Sequence, residues 1–275
     1  MVIRIIRQIR QVFDAHCHLT YPGLREKIPE IIVESSSVLT GIATCGLPFD
    51  REKKDNFEDA RTTLKLSQEF EGFVFVSLGL HPTQVVELTD SEIELYKSFL
   101  YENRDRIVAV GEIGLDKFWI KSEDEYKRSE KAFIEMLELA EKIKKPIVIH
   151  SRKAEEEAVE ILSSYKVEER VLMHSFTGNM TTAKRALDMG FYFSVNYKVT
   201  NSKNMRKIAK NFPLESILTE TDAPFLAPEG GINTPLGVKA VVEEIAKLRG
   251  KPFEEIDKIT TQNALKFYNI EARRV

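Results

Sequence analysis

The histidines are the residues of this sequence with the clearest chemical potential. There are five, and each follows a short apolar segment rich in β-branched residues; they are His16, His18, His81, His150 and His174. Such segments are typical of buried strands, so each imidazole is predicted to project from the carboxyl end of a strand. Imidazoles gathered at one rim, with carboxylates nearby, are common ligands of divalent metal ions. The sequence therefore predicts a metal centre.

The first two histidines belong to the run Asp-Ala-His-Cys-His, from Asp14 to His18. Residues two apart on an extended strand point the same way, so His16 and His18 can both reach one ion. His150 and His174 each end an apolar segment, Pro-Ile-Val-Ile-His and Arg-Val-Leu-Met-His. A lone histidine at a strand end also occurs as a hydrogen-bonded structural group, but the four together supply ligands from three strands.

Two carboxylates complete the predicted ligand set. Glu112 lies in Val-Gly-Glu-Ile-Gly-Leu-Asp, where Gly111 and Gly114 predict room for close approach rather than core packing. Asp222 lies in Leu-Thr-Glu-Thr-Asp-Ala-Pro, with Glu220 two residues before it. Carboxylates on otherwise apolar strands are costly unless they are paired or bound to a cation. Structural salt bridges are the alternative, more so for Glu220 than for Asp222.

The strands that position these residues alternate with helices. Eight strands are predicted, at Val12–Ala15, Gly41–Cys45, Phe73–Leu80, Ile107–Ile113, Pro146–Ile149, Arg170–His174, Phe191–Val195 and Ser216–Thr219. The predicted helices are Asn56–Glu69, Asp90–Asn103, Glu123–Lys144, Glu155–Tyr165, Met180–Met189, Asn204–Asn211 and Leu236–Leu248. This alternation predicts the α/β class and a (β/α)8 TIM barrel, with residues 1–275 forming a single domain. An open doubly wound sheet would usually carry a glycine-rich first turn, where this chain has Asp-Ala-His-Cys-His.

The predicted ligands indicate a metal-dependent hydrolase. Two divalent ions about 3.5–4 Å apart, bridged by a carboxylate, would polarise a substrate oxygen and generate hydroxide at neutral pH. Glu112, from the middle of the strand order, is the natural bridge. Asp222 can ligate one ion and accept a proton from the attacking water. Glu112 and Asp222 are therefore the predicted catalytic residues, and the bond that is cleaved is left open at this point.

Composition limits the substrate and the compartment. The formal net charge of −3 gives the chain no general basic character, so any recognition of phosphate must be local. Cys17 and Cys45 are too few for a disulfide framework. The N-terminal segment is interrupted by arginines and lacks the apolar core of a secretory signal, and no run approaches the ~18 apolar residues of a membrane span. We expect a cytoplasmic protein.

Six motifs, in order from Asp14 to about Pro235, resemble those of the TatD family of metal-dependent deoxyribonucleases. They are Asp-x-His-x-His, Gly-Leu-His-Pro, Gly-Glu-Ile-Gly-Leu-Asp, Ile-His-Ser-Arg, His-Ser-Phe-Thr-Gly and Glu-Thr-Asp-Ala-Pro. The resemblance implies an amidohydrolase-like barrel with two metal sites. It assigns His16, His18 and Asp222 to one ion and His150 and His174 to the other, with Glu112 shared.

The same resemblance implies the activity: exonucleolytic hydrolysis of DNA from the 3′ end, supported by two divalent ions such as Mg, Mn or Zn. His81 would contact substrate phosphate or assist proton transfer. Arg152 would also face phosphate, which suits its bidentate guanidinium. A basic rim is a further possibility, although a solvated helix face is at least as common for such a run; its residues are Lys198, Lys203, Arg206, Lys207 and Lys210.

The sequence departs from the family pattern at two places. The family usually carries a basic Arg-Gly-Lys-Arg-Asn-x-Pro segment after the last strand, whereas this chain has Glu-Gly-Gly-Ile-Asn-Thr-Pro, keeping Asn233 and Pro235. Ser175 also stands where the family usually has cysteine. Hydrolysis of DNA remains the leading interpretation, and loss of the basic residues keeps open an alternative substrate class, in which the barrel hydrolyses an amide, an ester or an aminoacyl end of a smaller molecule.

Overall fold

The protein is a barrel of eight parallel strands, as the sequence predicts. A computed structural model describes residues 12–49, 57–165, 167–228 and 230–271. Its strands are β1 Phe13–Cys17, β2 Gly41–Gly46, β3 Val74–Leu78, β4 Ala109–Asp116, β5 Ile147–Arg152, β6 Val171–Met173, β7 Tyr192–Val195 and β8 Ile217–Thr219. They pair in chain order, and each pairing is parallel.

The ring of strands closes where β1 lies against β8. The Thr219 hydroxyl donates to the Phe13 carbonyl at 3.4 Å. Beyond the strands, the His18 N–H donates to the Ala223 carbonyl at 2.7 Å, and the Asp222 N–H donates to the His16 carbonyl at 2.9 Å. Backbone groups of three predicted metal ligands, His16, His18 and Asp222, therefore help to close the ring.

Helices surround the strands in the described part of the chain. They are α1 Ile28–Ser36, α2 Glu58–Glu69, α3 Pro82–Val85, α4 Asp90–Glu102, α5 Glu123–Ile143, α6 Glu155–Tyr165, α7 Met180–Asp188, α8 Lys203–Asn211, α9 Val238–Arg249 and α10 Phe253–Phe267. All seven predicted helices are present, while α1, α3 and α10 were not predicted. The predicted helix start at Asn56, the N-terminal segment and Glu229 lie outside the described residues. No helix in the described ranges is long and apolar enough to cross a membrane.

Helix α10 completes the core inside the barrel. The inward side chains of the strands are small or apolar, such as Ala15, Ala43 and Ala109, and they pack against Phe267 and Tyr268 at the end of α10. The Tyr268 hydroxyl donates to the Ala15 carbonyl at 2.7 Å. Apolar strand residues that point outward pack against the helices in a second, larger cluster. Both faces of the sheet are buried, which explains the continuous apolar runs in the sequence.

The strands β4 and β5 extend further than predicted. β4 continues four residues past Glu112 to Asp116, and β5 includes His150 and Arg152. Their register pairs Gly114 with His150. A Cβ atom on Gly114 would lie 2.0 Å from the His150 carbonyl oxygen, so glycine permits the close approach predicted from the sequence. The two strands therefore carry Glu112 and His150 side by side.

Candidate metal centre

Glu112 lies at the centre of a cluster of histidines. His16 Nε2 and His18 Nε2 lie 3.4 and 3.3 Å from its Oε1 atom. On the other oxygen, His150 Nδ1 and His174 Nε2 lie 3.3 and 3.6 Å from Oε2. The carboxylate thus faces one pair of imidazoles with each of its oxygens. The five side chains lie on or directly after β1, β4, β5 and β6, and they meet because the strand ends converge at one rim.

Asp222 lies beside both pairs. Its Oδ1 atom is 3.5 Å from His18 Nε2 and 3.8 Å from His174 Nε2. Strand β8 ends at Thr219, so Asp222 belongs to the following loop rather than to the strand end that the sequence predicts. Its backbone has φ +57°, in the left-handed region that Asp tolerates better than most residues. This turn directs the side chain back over the barrel.

His81 lies next to His150 at the end of the β3 segment. Its Nε2 atom is 3.3 Å from His150 Nδ1, and its Nδ1 atom is 2.7 Å from the Thr83 hydroxyl. Ligand atoms of His81, Glu112 and His150 lie within 4.8 Å of one another, as do those of His16, His18 and Glu112, and those of His16, His174 and Asp222. His81 is therefore close enough to the cluster to act as a ligand as well as a contact for substrate.

The donor set suits divalent cations. It consists of imidazole nitrogens and carboxylate oxygens, which Mn, Zn and related ions accept, and Mg is bound through the carboxylates. Unlike a simple structural ion pair, this cluster has more imidazoles than carboxylates. The chemistry of the residues therefore fits the metal ions that the sequence predicts.

Two buried carboxylates outside the predicted site orient the histidines. Asp116 Oδ2 lies 2.8 Å from His150 Nε2, and Glu220 Oε2 lies 2.8 Å from His174 Nδ1. Each leaves the other ring nitrogen directed at Glu112. Hydrogen bonds of this kind set the tautomer of a metal-binding histidine and raise its basicity. Sequence reasoning missed Asp116, although its position four residues beyond Glu112 on an apolar strand was a usable signal.

A third buried carboxylate, Asp14, links β1 to the loop that follows β8. Asp14 accepts hydrogen bonds from the Thr221 N–H at 2.8 Å and from the Thr221 hydroxyl at 2.6 Å. Asn233 supports the same loop by donating to the Thr221 carbonyl at 3.3 Å. These contacts connect β1, which carries His16, to the loop that carries Asp222. Retention of Asn233 in an otherwise altered segment thus has a structural reason.

The charges in the cluster stabilise one another. Burial alone would raise the pKa of Glu112, but His16, His150 and His174 hold it well below its usual range. Burial would lower the pKa of His174, but Glu220, Asp222 and Glu112 raise it to about 10. In contrast, burial and the neighbouring His150 lower the pKa of His81 to about 3. At neutral pH Glu112 is therefore a carboxylate and His81 is a neutral imidazole.

The cluster opens into a cleft of about 860 Å³. Arg152, the predicted phosphate ligand, lines this cleft, and its guanidinium carbon lies 3.9 Å above the centroid of the Phe118 ring. Of the predicted basic rim, Lys198 lines the cleft and its Nζ atom lies 3.4 Å from the Ser175 hydroxyl. The remaining members are exposed on α8 and do not line it: Lys203, Arg206, Lys207 and Lys210.

The chain is similar to proteins across nearly its whole length. The TatD related DNase family matches residues 13–269. The uncharacterized metal-dependent hydrolase YabD of Bacillus subtilis is 33% identical over 266 residues, which cover 94% of this chain and 99% of that protein. The human deoxyribonuclease TATDN3 is 29% identical over 266 residues, covering 93% of each chain.

A solved structure shows the same architecture. YjjV, a TatD homologue from Escherichia coli, superposes with a TM-score of 0.82 at 26% sequence identity, covering 94% of this chain and 98% of its own. The match includes the eight-stranded barrel and therefore the rim on which the histidine cluster lies. The motifs, the barrel and the family match agree, and the chain belongs to the TatD family of metal-dependent hydrolases.

Proposed function

We propose that this protein is a deoxyribonuclease that uses two divalent ions to hydrolyse phosphodiester bonds from the 3′ end of DNA. The observation that supports a site for two ions is the division of histidines between the two Glu112 oxygens. His16, His18 and Asp222 would hold one ion, His150 and His174 would hold the other, and Glu112 would bridge them. The name of the human relative TATDN3 supports DNA as the substrate.

Bound at these residues, divalent ions would neutralise the charge of the phosphodiester and lower the pKa of a water molecule. Asp222 is suited to accept the proton from that water. Although burial raises its pKa, the nearby His18 and His174 lower it below the usual range, so the side chain is a carboxylate at neutral pH. Its half-buried position at the cleft also leaves it accessible to water.

Arg152 and His81 would position the scissile phosphate. Arg152 is held against the Phe118 ring, which orients a flexible side chain and leaves its N–H groups available for a phosphate oxygen. His81 is a neutral imidazole, so it can donate or accept a hydrogen bond with the substrate without adding charge to the site. Both residues line the same cleft as Glu112 and Asp222.

A second candidate is hydrolysis of an amide, an ester or an aminoacyl end in a smaller molecule. The segment after β8 favours it, because Gly230–Pro235 offers the exposed Ile232 where the family usually has basic residues. Cations that would follow a nucleic-acid backbone are missing there. The same metal centre would serve either substrate.

The two candidates are separated by assaying nucleotide release from a 3′-labelled single-stranded oligonucleotide with Mg, Mn or Zn, beside a panel of esters and amides. We expect metal-dependent release of nucleotides from the labelled end. The Glu112→Gln and His150→Ala variants should lose at least about 100-fold of this activity, because the first removes the negative charge of the shared carboxylate and the second removes an imidazole ligand. Circular dichroism of both variants controls for unfolding. Turnover of the ester or amide panel, with no nucleotide released under any ion, would sink the nuclease proposal.

A further inference from the structure

Two pairs of exposed aromatic rings lie beside the cleft, and three of the four rings line it: Tyr21, Phe225 and Trp119. Tyr21 and Phe225 form one pair, with ring centroids 5.1 Å apart and exposures of 38% and 43%. Phe118 and Trp119 form the other, with centroids 4.9 Å apart and exposures of 39% and 64%. Large apolar rings left in water are unfavourable, so their clustering at one opening indicates a binding surface.

The first pair is attached to the metal centre by the backbone. The Tyr21 N–H donates to the His18 carbonyl at 3.1 Å, and the Phe225 N–H donates to the Asp222 carbonyl at 2.9 Å. Each aromatic residue therefore stands at the end of a tight turn that begins at a predicted ligand. The two rings lie 6.5 and 6.2 Å from the His18 imidazole, so they form a wall directly beside the site of reaction.

The second pair is attached through Asp116. The N–H groups of Phe118 and Trp119 both donate to Asp116 Oδ1 at 2.7 Å, while its Oδ2 atom holds His150. Phe118 supports the Arg152 guanidinium, and Trp119 remains the more exposed ring. This wall thus combines a cation suited to phosphate with an open aromatic face.

The two pairs face each other across the barrel. Tyr21 and Phe225 follow β1 and β8, whereas Phe118 and Trp119 follow β4, and these positions are on opposite sides of an eight-stranded ring. Glu112 lies between them, and the cations Arg152, Lys153 and Lys198 line the same cleft. This arrangement suits a ligand that has an anion at its centre and flat rings on either side. A nucleotide chain with unpaired bases has these features.

We propose that Tyr21 and Phe225 on one wall, and Trp119 on the other, stack nucleobases on either side of the scissile phosphodiester. This inference rests on the nuclease function proposed above. Base stacking on aromatic side chains tolerates any sequence, because every base has a flat face. In a duplex the same faces are covered by neighbouring base pairs. Stacking would also supply binding affinity in place of the basic segment, which the family usually carries and this chain lacks.

The sequence contains one tryptophan, so Trp119 reports binding directly. The experiment titrates the Glu112→Gln variant with oligothymidylate in the presence of Mg and follows tryptophan fluorescence. We expect saturable quenching, with affinity about five- to 100-fold weaker for an abasic oligomer of equal length and charge. Equal affinity for the two oligomers would overturn the proposal. The measurement needs no hydrolysis, so its result is independent of the nuclease assay.

Variants then separate stacking from general apolar contact. Trp119→Leu keeps apolar area but removes the aromatic face, and it should raise KM for oligothymidylate about fivefold or more with little change in kcat. Trp119→Phe should restore most of the loss. The control is Tyr101→Ala, an exposed ring on α4 that does not line the cleft, and its KM should match the parent. An unchanged KM in Trp119→Leu would contradict the inference even if the parent enzyme hydrolyses DNA.

Discussion

At the scale of single residues, two carboxylates that are not themselves predicted ligands determine how two of the histidines are oriented. Asp116 and Glu220 are fully buried, and each is hydrogen-bonded to the outer nitrogen of one imidazole. Without them His150 and His174 would be free to rotate or to change tautomer. Asp116 also anchors Phe118 and Trp119, so one side chain couples a proposed metal ligand to the cleft wall.

Replacing Asp116 with Asn should weaken metal binding by about 10- to 100-fold, because the amide does not enforce the His150 orientation as a carboxylate does. The measurement is the concentration of Mn that gives half-maximal activity, with isothermal titration as a direct check. Glu138→Gln, on the exposed face of α5, is the matched control for loss of one negative charge. Equal metal requirements in the Asp116→Asn variant and this control would refute an orienting role.

Metal binding should strengthen as the pH rises. In protein stripped of metal by a chelator, burial lowers the pKa of His174, but Glu220, Asp222 and Glu112 raise it to about 10, so its ring is protonated at neutral pH. A protonated imidazole has no lone pair for an ion, and binding must release the proton. We expect divalent-ion affinity to increase between about pH 6 and pH 9, with proton release detected by calorimetry in different buffers.

The stability of the stripped protein should depend on pH in the opposite direction. Since the pKa of His174 in the folded state lies above its ordinary value of 6.5, its ion pairs stabilise the fold fully below that pH. This contribution is lost as the pH rises toward about 10. The increase in melting temperature caused by metal should therefore be larger at high pH. A metal-induced shift that does not vary with pH would count against a protonated His174.

At the scale of elements, the pairing of β4 with β5 determines the distance between Glu112 and His150. The register places Gly114 opposite His150, in a conformation with φ +138° and no space for a side chain. The hydrogen-bonded pairing of these strands continues past Glu112 and His150, which holds both side chains on rigid elements rather than on loops. A small displacement of either strand would move two groups of the site together.

Gly114→Ala should therefore destabilise the barrel by about 3 kcal/mol or more, since the new methyl group would collide with the His150 carbonyl and the backbone conformation is strained. Urea unfolding followed by circular dichroism measures the loss. Gly190→Ala is the control, because Gly190 also has positive φ but no atom within 4 Å of the added methyl group. It should cost only about 1–2 kcal/mol. Similar losses for the two variants would show that the contact with His150 is not limiting.

At the scale of the whole molecule, the balance of charge predicts a weak electrostatic contribution to DNA binding. The net charge is −3, and among the described residues the cations that line the cleft are Arg152, Lys153 and Lys198. The basic residues of α8 are exposed outside it. In the described part of the chain the cleft thus offers few cations to a nucleic acid, and aromatic rings lie at its opening.

Three phosphate contacts predict a slope of about −2 for the logarithm of oligonucleotide affinity against the logarithm of salt concentration. The Lys198→Ala variant should reduce the steepness by about 0.7, while Lys210→Ala on α8 should leave it unchanged. Both slopes can be measured by fluorescence titration in the Glu112→Gln background. A much steeper slope, with a contribution from Lys210, would mean that the strand crosses α8 instead.

The sequence by itself determined the barrel and the identity of the residues on its rim. Apolar runs mark buried strands because burial on both faces excludes polar side chains, so His16 and Glu112 on such runs, and Asp222 directly after one, are conspicuous. That information is local. Strand ends were less well predicted, as β4 and β5 show, because hydrogen bonding between neighbouring strands rather than composition determines where they stop.

Only the tertiary structure decided which distant residues meet. Helix α10 fills the base of the barrel, Asp116 holds His150, and His81 lies against the same imidazole, although no short-range pattern connects these residues. Tyr21, Phe225 and Trp119, unremarkable in the sequence, line one cleft only when the ring of strands closes. Chain periodicity encodes whether a residue is buried, whereas contacts between residues far apart in sequence depend on ring closure, which no local segment specifies.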